Sequence, residues 1–165
     1  MSVSRLFNLI VLLVIAAMGA GYYIQHGLGI EPCPLCIVQR FAFIGVGLVA
    51  LIGATLAAHR VASLVIAALT SLLALAGAGV AGWHIWIKAN PPESFSCGRP
   101  FAWMIENMPL TQVVPKLFKG EADCLQESWT LLGLGIPHWS FILFLILVAL
   151  ANFALVQALR TKKSA

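Results

Sequence analysis

Charge is what this sequence has least of. Six acidic and ten basic side chains are spread over 165 residues, 10% of the chain. A soluble domain carries about a quarter, so a water-facing surface cannot be assembled from this one. Two further absences narrow the class. No Gly-rich phosphate loop and no His-Glu-x-x-His segment occur, which removes two common nucleotide and zinc-protease signatures. The net charge of +4 comes without a cluster of Lys and Arg, so no nucleic-acid partner is expected.

What is abundant is apolar sequence, 61% of the residues. Histidines aside, nothing ionised lies between Arg5 and Glu31, Arg40 and Arg60, Arg60 and Lys88, or Glu127 and Arg160. Crossing the hydrocarbon takes roughly 20 apolar residues. Four spans are predicted, at about 6–25, 38–57, 62–86 and 139–158. Each must be helical, because lipid offers no partner for open backbone groups. The expected fold is therefore an all-α membrane protein, a four-transmembrane-helix bundle forming one domain over residues 1–165. A short outer loop, about 26–37, bears a Cys-x-x-Cys pair, and a long one occupies about 87–138.

Lys and Arg predict the orientation. The segments before span 1, between spans 2 and 3 and after span 4 hold Arg5, Arg60, Arg160, Lys162 and Lys163, with no acid. The opposite side spreads its five basic residues over a much longer length. The density of positive charge in short segments predicts both termini in the cytoplasm. All four cysteines then face outward, into an oxidising compartment. A basic start followed by an apolar run also fits a cleaved signal peptide. The length of that run and bulky Tyr22-Tyr23 after it argue for a retained span.

The cysteines fall into two pairs: Cys33-Pro-Leu-Cys36 at the head of span 2, and Cys97 with Cys124 in the long loop. A Cys-x-x-Cys closes so small a loop that it is a poor staple. Redox exchange or metal binding is its usual use. A c-type haem would need His after the second Cys, where this chain has Ile37. A four-cysteine zinc site would prefer a second close pair, but 26 residues separate Cys97 from Cys124. Redox exchange is the expectation, and no metal. Cys97 and Cys124 fit either a second exchanging pair or a staple contributing roughly 3–4 kcal/mol.

Arg40 stands four residues after Cys36, one turn deeper on the same helix face. A helix N-terminus and a guanidinium both favour a thiolate. An ionisable group at membrane depth is a functional candidate, although a lipid-anchoring role would also place an Arg there. His84, near the outer end of span 3, fits a quinone-facing donor, a proton shuttle or a bonded packing residue. Gln39 is a further candidate for the same pocket, or a plain interhelical hydrogen bond. Gly77-Ala-Gly-Val-Ala-Gly82 reads as close helix packing, with a ligand slot as the lesser alternative. In the long loop, Leu110, Val113, Val114, Leu117 and Phe118 recur at helical spacing. They predict a short amphipathic helix on the bilayer, or one packed on the loop's own Trp residues.

Taken together, four spans, Cys33-Pro-Leu-Cys36 with Gln39-Arg40, His84 thirteen residues before Cys97, and Asp123-Cys124 in one outer loop resemble the disulfide bond formation protein B (DsbB) family. Pro109-Leu110, Val114-Pro115, Phe118, Trp129, Leu132-Gly133 and Pro137-x-Trp139 extend the match over essentially the whole chain. The resemblance implies a bacterial inner-membrane thiol:quinone oxidoreductase. It would reoxidise a periplasmic, thioredoxin-fold oxidase of the DsbA kind and pass the electrons to membrane ubiquinone or menaquinone. It implies that the partner's thiolate attacks Cys97, that the released Cys124 exchanges with Cys33, and that Cys36 becomes the thiolate engaging the quinone. Arg40 would sit near the quinone oxygens and His84 beside the ring. Pro34-Leu35 between the cysteines is a tolerated variant that bears on the pair's potential. The alternative from another class is a non-catalytic membrane protein with structural or metal-binding cysteines.

Overall fold

Four long helices carry the apolar stretches: α1 (Val3–Gly27), α2 (Pro34–Thr55), α3 (Arg60–Ala89) and α4 (Ile136–Arg160). All four are long and apolar enough to cross a bilayer, which makes the chain a multi-pass membrane protein built as a four-helix bundle. The structure is a computed structural model, and it describes residues 2–29, 33–90, 109 and 130–160. Cys97, Cys124 and nearly all of the predicted amphipathic helix at 109–118 lie outside the described residues.

The helix ends have local causes. Cys33 caps α2 with an extended backbone, and Pro34 follows in the first turn, where a missing N–H costs nothing. The helix thus starts four residues before the predicted span. At 30 residues, α3 runs for about 45 Å, well beyond a hydrocarbon core of about 30 Å. Its surplus reaches past Trp83 and Trp86, which stack at 5.2 Å, to Lys88. Ahead of α4 stands a hairpin, β1 (Thr130–Leu131) with β2 (Leu134–Gly135), antiparallel with Leu131 opposite Leu134. Its turn residues, Leu132 and Gly133, have φ of 54° and 78°, the left-handed pattern of a tight hairpin turn. Trp139 Nε1 donates to the Leu131 carbonyl at 3.2 Å and ties the hairpin to α4.

Around the bundle, α1 packs on α2 and α4, and α3 packs on α2 and, most extensively, on α4. At one end Arg60 donates to the Leu159 carbonyl at 3.1 Å, joining the start of α3 to the end of α4. At the other end Cys33 meets His84 across helices. Neighbouring helices therefore alternate in direction, and α1 begins at the end of the bundle where α4 finishes.

Small residues set how closely the helices approach. A Cβ on Gly77 would run into the Phe144 ring, and one on Gly53 would meet Phe7 and Ile66 at 2.8 Å. Packing is thus what Gly77 does, whereas Gly79, in the same run, faces open space. Phe144 in turn stacks flat on Phe43, with centroids 3.9 Å apart. Asn152 Nδ2 donates to Ser71 Oγ at 3.2 Å, a polar tie between α3 and α4. Outward-facing side chains such as Leu12, Leu48 and Leu72 are exposed, as a lipid-facing belt requires.

Candidate active site

The four-helix core stops short of the Cys33 end, where a second, smaller cluster of Cys33, Leu35, Cys36 and Ile87 takes over. Here the two cysteines are 3% and 7% exposed. Their position follows from the start of α2. Cys33 is the cap, its Sγ accepting the Cys36 backbone N–H at 3.2 Å, and one turn of helix brings Cys36 back beside it. The sulfurs are 2.7 Å apart. A sulfur that accepts a helix N-terminal N–H is held where negative charge is stabilised.

His84 comes to this pair from α3. The stripe Ala74, Gly77, Ala78, Ala81 is buried on one face of that helix, and His84 continues it, fully buried. Its Nε2 lies 3.8 Å from Cys33 Sγ, and its Nδ1 lies 3.3 Å from Gln39 Nε2. Gln39 is itself 2% exposed, so the amide and imidazole satisfy each other in an apolar setting.

On the other side of Cys36 a cavity of about 400 Å³ opens between α1, α2 and α4. Its walls are mostly apolar, with Met18, Ile24, Phe43, Trp139 and Leu143 among them, and Cys36, Gln39 and Arg40 supply polar groups on the α2 side. The i+4 relation of Cys36 and Arg40 thus puts both on one wall. Arg40 does not reach outward as a lipid anchor. Its guanidinium crosses to α1, donating to Gln25 Oε1 and to the Gly21 carbonyl, the latter at 3.1 Å. A guanidinium has five N–H donors, so donors remain beyond these two bonds. His84 does not line this cavity; it approaches the dithiol from the far side, through Cys33.

The arrangement brings together Cys33, Cys36, Gln39, Arg40 and His84, five of the seven residues singled out in the sequence. The remaining two, Cys97 and Cys124, lie outside the described residues. Gln25 and the Gly21 carbonyl are functional neighbours that sequence reasoning missed. The available signal was a Gln at the end of an apolar span, where an amide needs a partner.

A buried dithiol in a membrane bundle, flanked by an apolar cavity and a fixed cation, defines a membrane-bound thiol oxidoreductase. The comparisons with known proteins give this class its family. The family model described as "Disulfide bond formation protein DsbB" matches residues 4–154. A relative from Verminephrobacter eiseniae (strain EF01-2), named disulfide bond formation protein B, is 42% identical over 94% of this chain and 88% of its own length. One of the same name from Polaromonas sp. (strain JS666 / ATCC BAA-500) is 42% identical, covering 96% of this chain and 94% of the relative. A third, from Aromatoleum aromaticum, is 39% identical over 88% and 86%. The chain belongs to the disulfide bond formation protein B family, and its role is disulfide formation by a membrane oxidoreductase.

Proposed function

We propose that this chain is a thiol:quinone oxidoreductase of a bacterial inner membrane. On this reading both termini are cytoplasmic and the cysteines periplasmic. It reoxidises a soluble thioredoxin-fold dithiol oxidase of the DsbA kind and so sustains disulfide formation in exported proteins. The observation that carries it is the cavity beside Cys36: about 400 Å³, apolar-walled, with the thiol and a guanidinium on one side. Those features fit a flat apolar ring with carbonyl acceptors, and the volume lies in the small-ligand range. When bound there, a quinone supplies a sink for two electrons and two protons.

The chain's own residues do the rest. Arg40 lines the cavity with N–H donors to spare, while Gln25 and Gly21 fix its position. Met18 on α1, Phe43 on α2 and Leu143 on α4 give the cavity apolar walls that exclude water. Cys33 takes the exchange. A thiolate at Cys124 attacks Cys33 Sγ of the oxidised pair, a new Cys33–Cys124 bond forms, the Cys33–Cys36 bond breaks, and Cys36 leaves as a thiolate at the cavity wall. Cys124 is in turn released when the partner's thiolate attacks Cys97. The partner's second thiolate then closes its own disulfide and frees Cys97, and Cys97 re-forms its bond to Cys124 and frees Cys33. The partner's two electrons rest on the reduced Cys33–Cys36 pair without any other oxidant.

The test is spectrophotometric. Purified protein is mixed with a reduced thioredoxin-fold periplasmic oxidase and ubiquinone, then with menaquinone. Quinone loss that matches partner oxidation supports the reading. Cys36→Ser is expected to abolish quinone reduction while the protein stays inserted and folded. Undiminished activity in that variant would sink the mechanism.

A further inference from the structure

The dithiol has a second chemistry available to it. Cys33 Sγ, Cys36 Sγ and a ring nitrogen of His84 lie within 4.8 Å of one another, all three residues buried. We propose that the reduced pair and His84 form a binding site for one divalent, thiophilic d10 cation, of which Zn²⁺ is the natural member. A four-cysteine set is not needed for such an ion, because His84 supplies a third ligand from another helix.

The geometry is close to what such an ion requires. Zinc binds sulfur at about 2.3 Å and imidazole nitrogen at about 2.0–2.1 Å, usually tetrahedrally. Tetrahedral angles then set a sulfur and a nitrogen about 3.6 Å apart and two sulfurs about 3.8 Å apart. The Cys33 Sγ to His84 Nε2 distance of 3.8 Å already meets the first requirement. The sulfurs, 2.7 Å apart, must part by about 1 Å, within reach of a small rotation about a cysteine Cα–Cβ bond.

One further observation and the charge balance support a metal. His84 is oriented through its other nitrogen, which Gln39 holds at 3.3 Å. An imidazole fixed in this way by an outer partner is the usual arrangement of a metal ligand. It requires the Gln39 amide to turn its oxygen toward Nδ1–H, an assignment the distance permits. Charge selects the ion. Two thiolates and a neutral imidazole around a divalent cation sum to zero, which a buried apolar setting tolerates; a monovalent ion leaves one uncompensated negative charge. Soft thiolates also discriminate against Mg²⁺ and Ca²⁺. Binding displaces one proton from each thiol, two per ion, and moves no electron. An occupied site withdraws both sulfurs from disulfide exchange.

The experiment uses the full chain in nanodiscs with Cys97→Ser and Cys124→Ser, so that only the Cys33–Cys36 pair remains. The protein is reduced with a phosphine, freed of reductant under argon, and titrated with Zn²⁺ against a chromophoric chelator. One ion per chain is expected. Gln39→Leu should weaken it about 10–100-fold and His84→Ala, which removes a ligand outright, by more, with thiol titration confirming that both cysteines stay reduced. X-ray absorption at the zinc edge should show two sulfurs and at least one imidazole nitrogen. If zinc binds no more tightly than to a chain also carrying Cys33→Ser and Cys36→Ser, no site exists. Affinity and spectrum unchanged in His84→Ala would equally overturn the assignment. Neither result depends on quinone turnover, so the oxidoreductase reading stands or falls separately.

Discussion

Arg40 owes its position to groups on another helix. Two acceptors on α1, the Gln25 amide and the Gly21 carbonyl, hold the guanidinium at the cavity wall. A hydrogen bond to a charged group contributes about 1.5–3 kcal/mol. Gln25→Leu should therefore raise the KM for quinone by about tenfold or more, since 1.4 kcal/mol is a factor of ten. The KM for the protein partner should stay within about twofold. Steady-state kinetics with each substrate varied in turn would check it, and an equal rise in both would remove Gln25 from the quinone side. Arg40→Ala should show the same split more strongly. The Cys36 and Arg40 relation was legible in the sequence because four residues on one helix share a face. The partners of Arg40 were not, and neither was the approach of His84 to Cys33. Both depend on how α1 and α3 are rotated about their axes, which no spacing within α2 encodes.

That rotation is set at the scale of the element. On α3 the small residues form a face, and at Gly77 the Phe144 ring of α4 sits where a Cβ would be. Gly77→Ala should lower stability by about 1–3 kcal/mol, the usual range for overpacking. Gly79→Ala, whose Cβ meets nothing within 4 Å, should be neutral or gain up to about 1 kcal/mol from helix propensity. Thermal unfolding of the two variants in the same detergent would separate them; equal effects would mean that composition rather than contact governs this helix. The hairpin before α4 offers the converse case. Leu132 adopts φ of 54° and is 86% exposed, a conformation that costs an ordinary residue roughly 1–2 kcal/mol. Leu132→Asn should recover part of that, raising the melting temperature slightly. The spans were readable from charge spacing alone, because lipid imposes one length and one secondary structure. The hairpin was not, because two-residue strands show no alternation and Leu is not a residue that announces a tight turn.

For the whole molecule, the alternation of helix directions and the Arg60–Leu159 bond put the start of α1 and the end of α4 at one end of the bundle. Their side of the membrane is set by positive charge. Single cysteines introduced into a chain whose four native cysteines are serine would test it. In intact cells, Ser2→Cys and Ser164→Cys should resist an impermeant maleimide until the membrane is opened. Leu28→Cys, at the far end of α1, should label at once. The reverse pattern would invert the proposed topology and put the dithiol in the reducing compartment.

The Cys33 sulfur that accepts the Cys36 N–H is the same atom that the proposed exchange gives to an incoming cysteine. While Cys33 is engaged elsewhere, that N–H loses its acceptor, and a lost cap is worth about 1 kcal/mol. The amide proton of Cys36 then becomes a clock for the catalytic cycle: slow to trade with deuterium when the cap is in place, faster each time Cys33 turns outward.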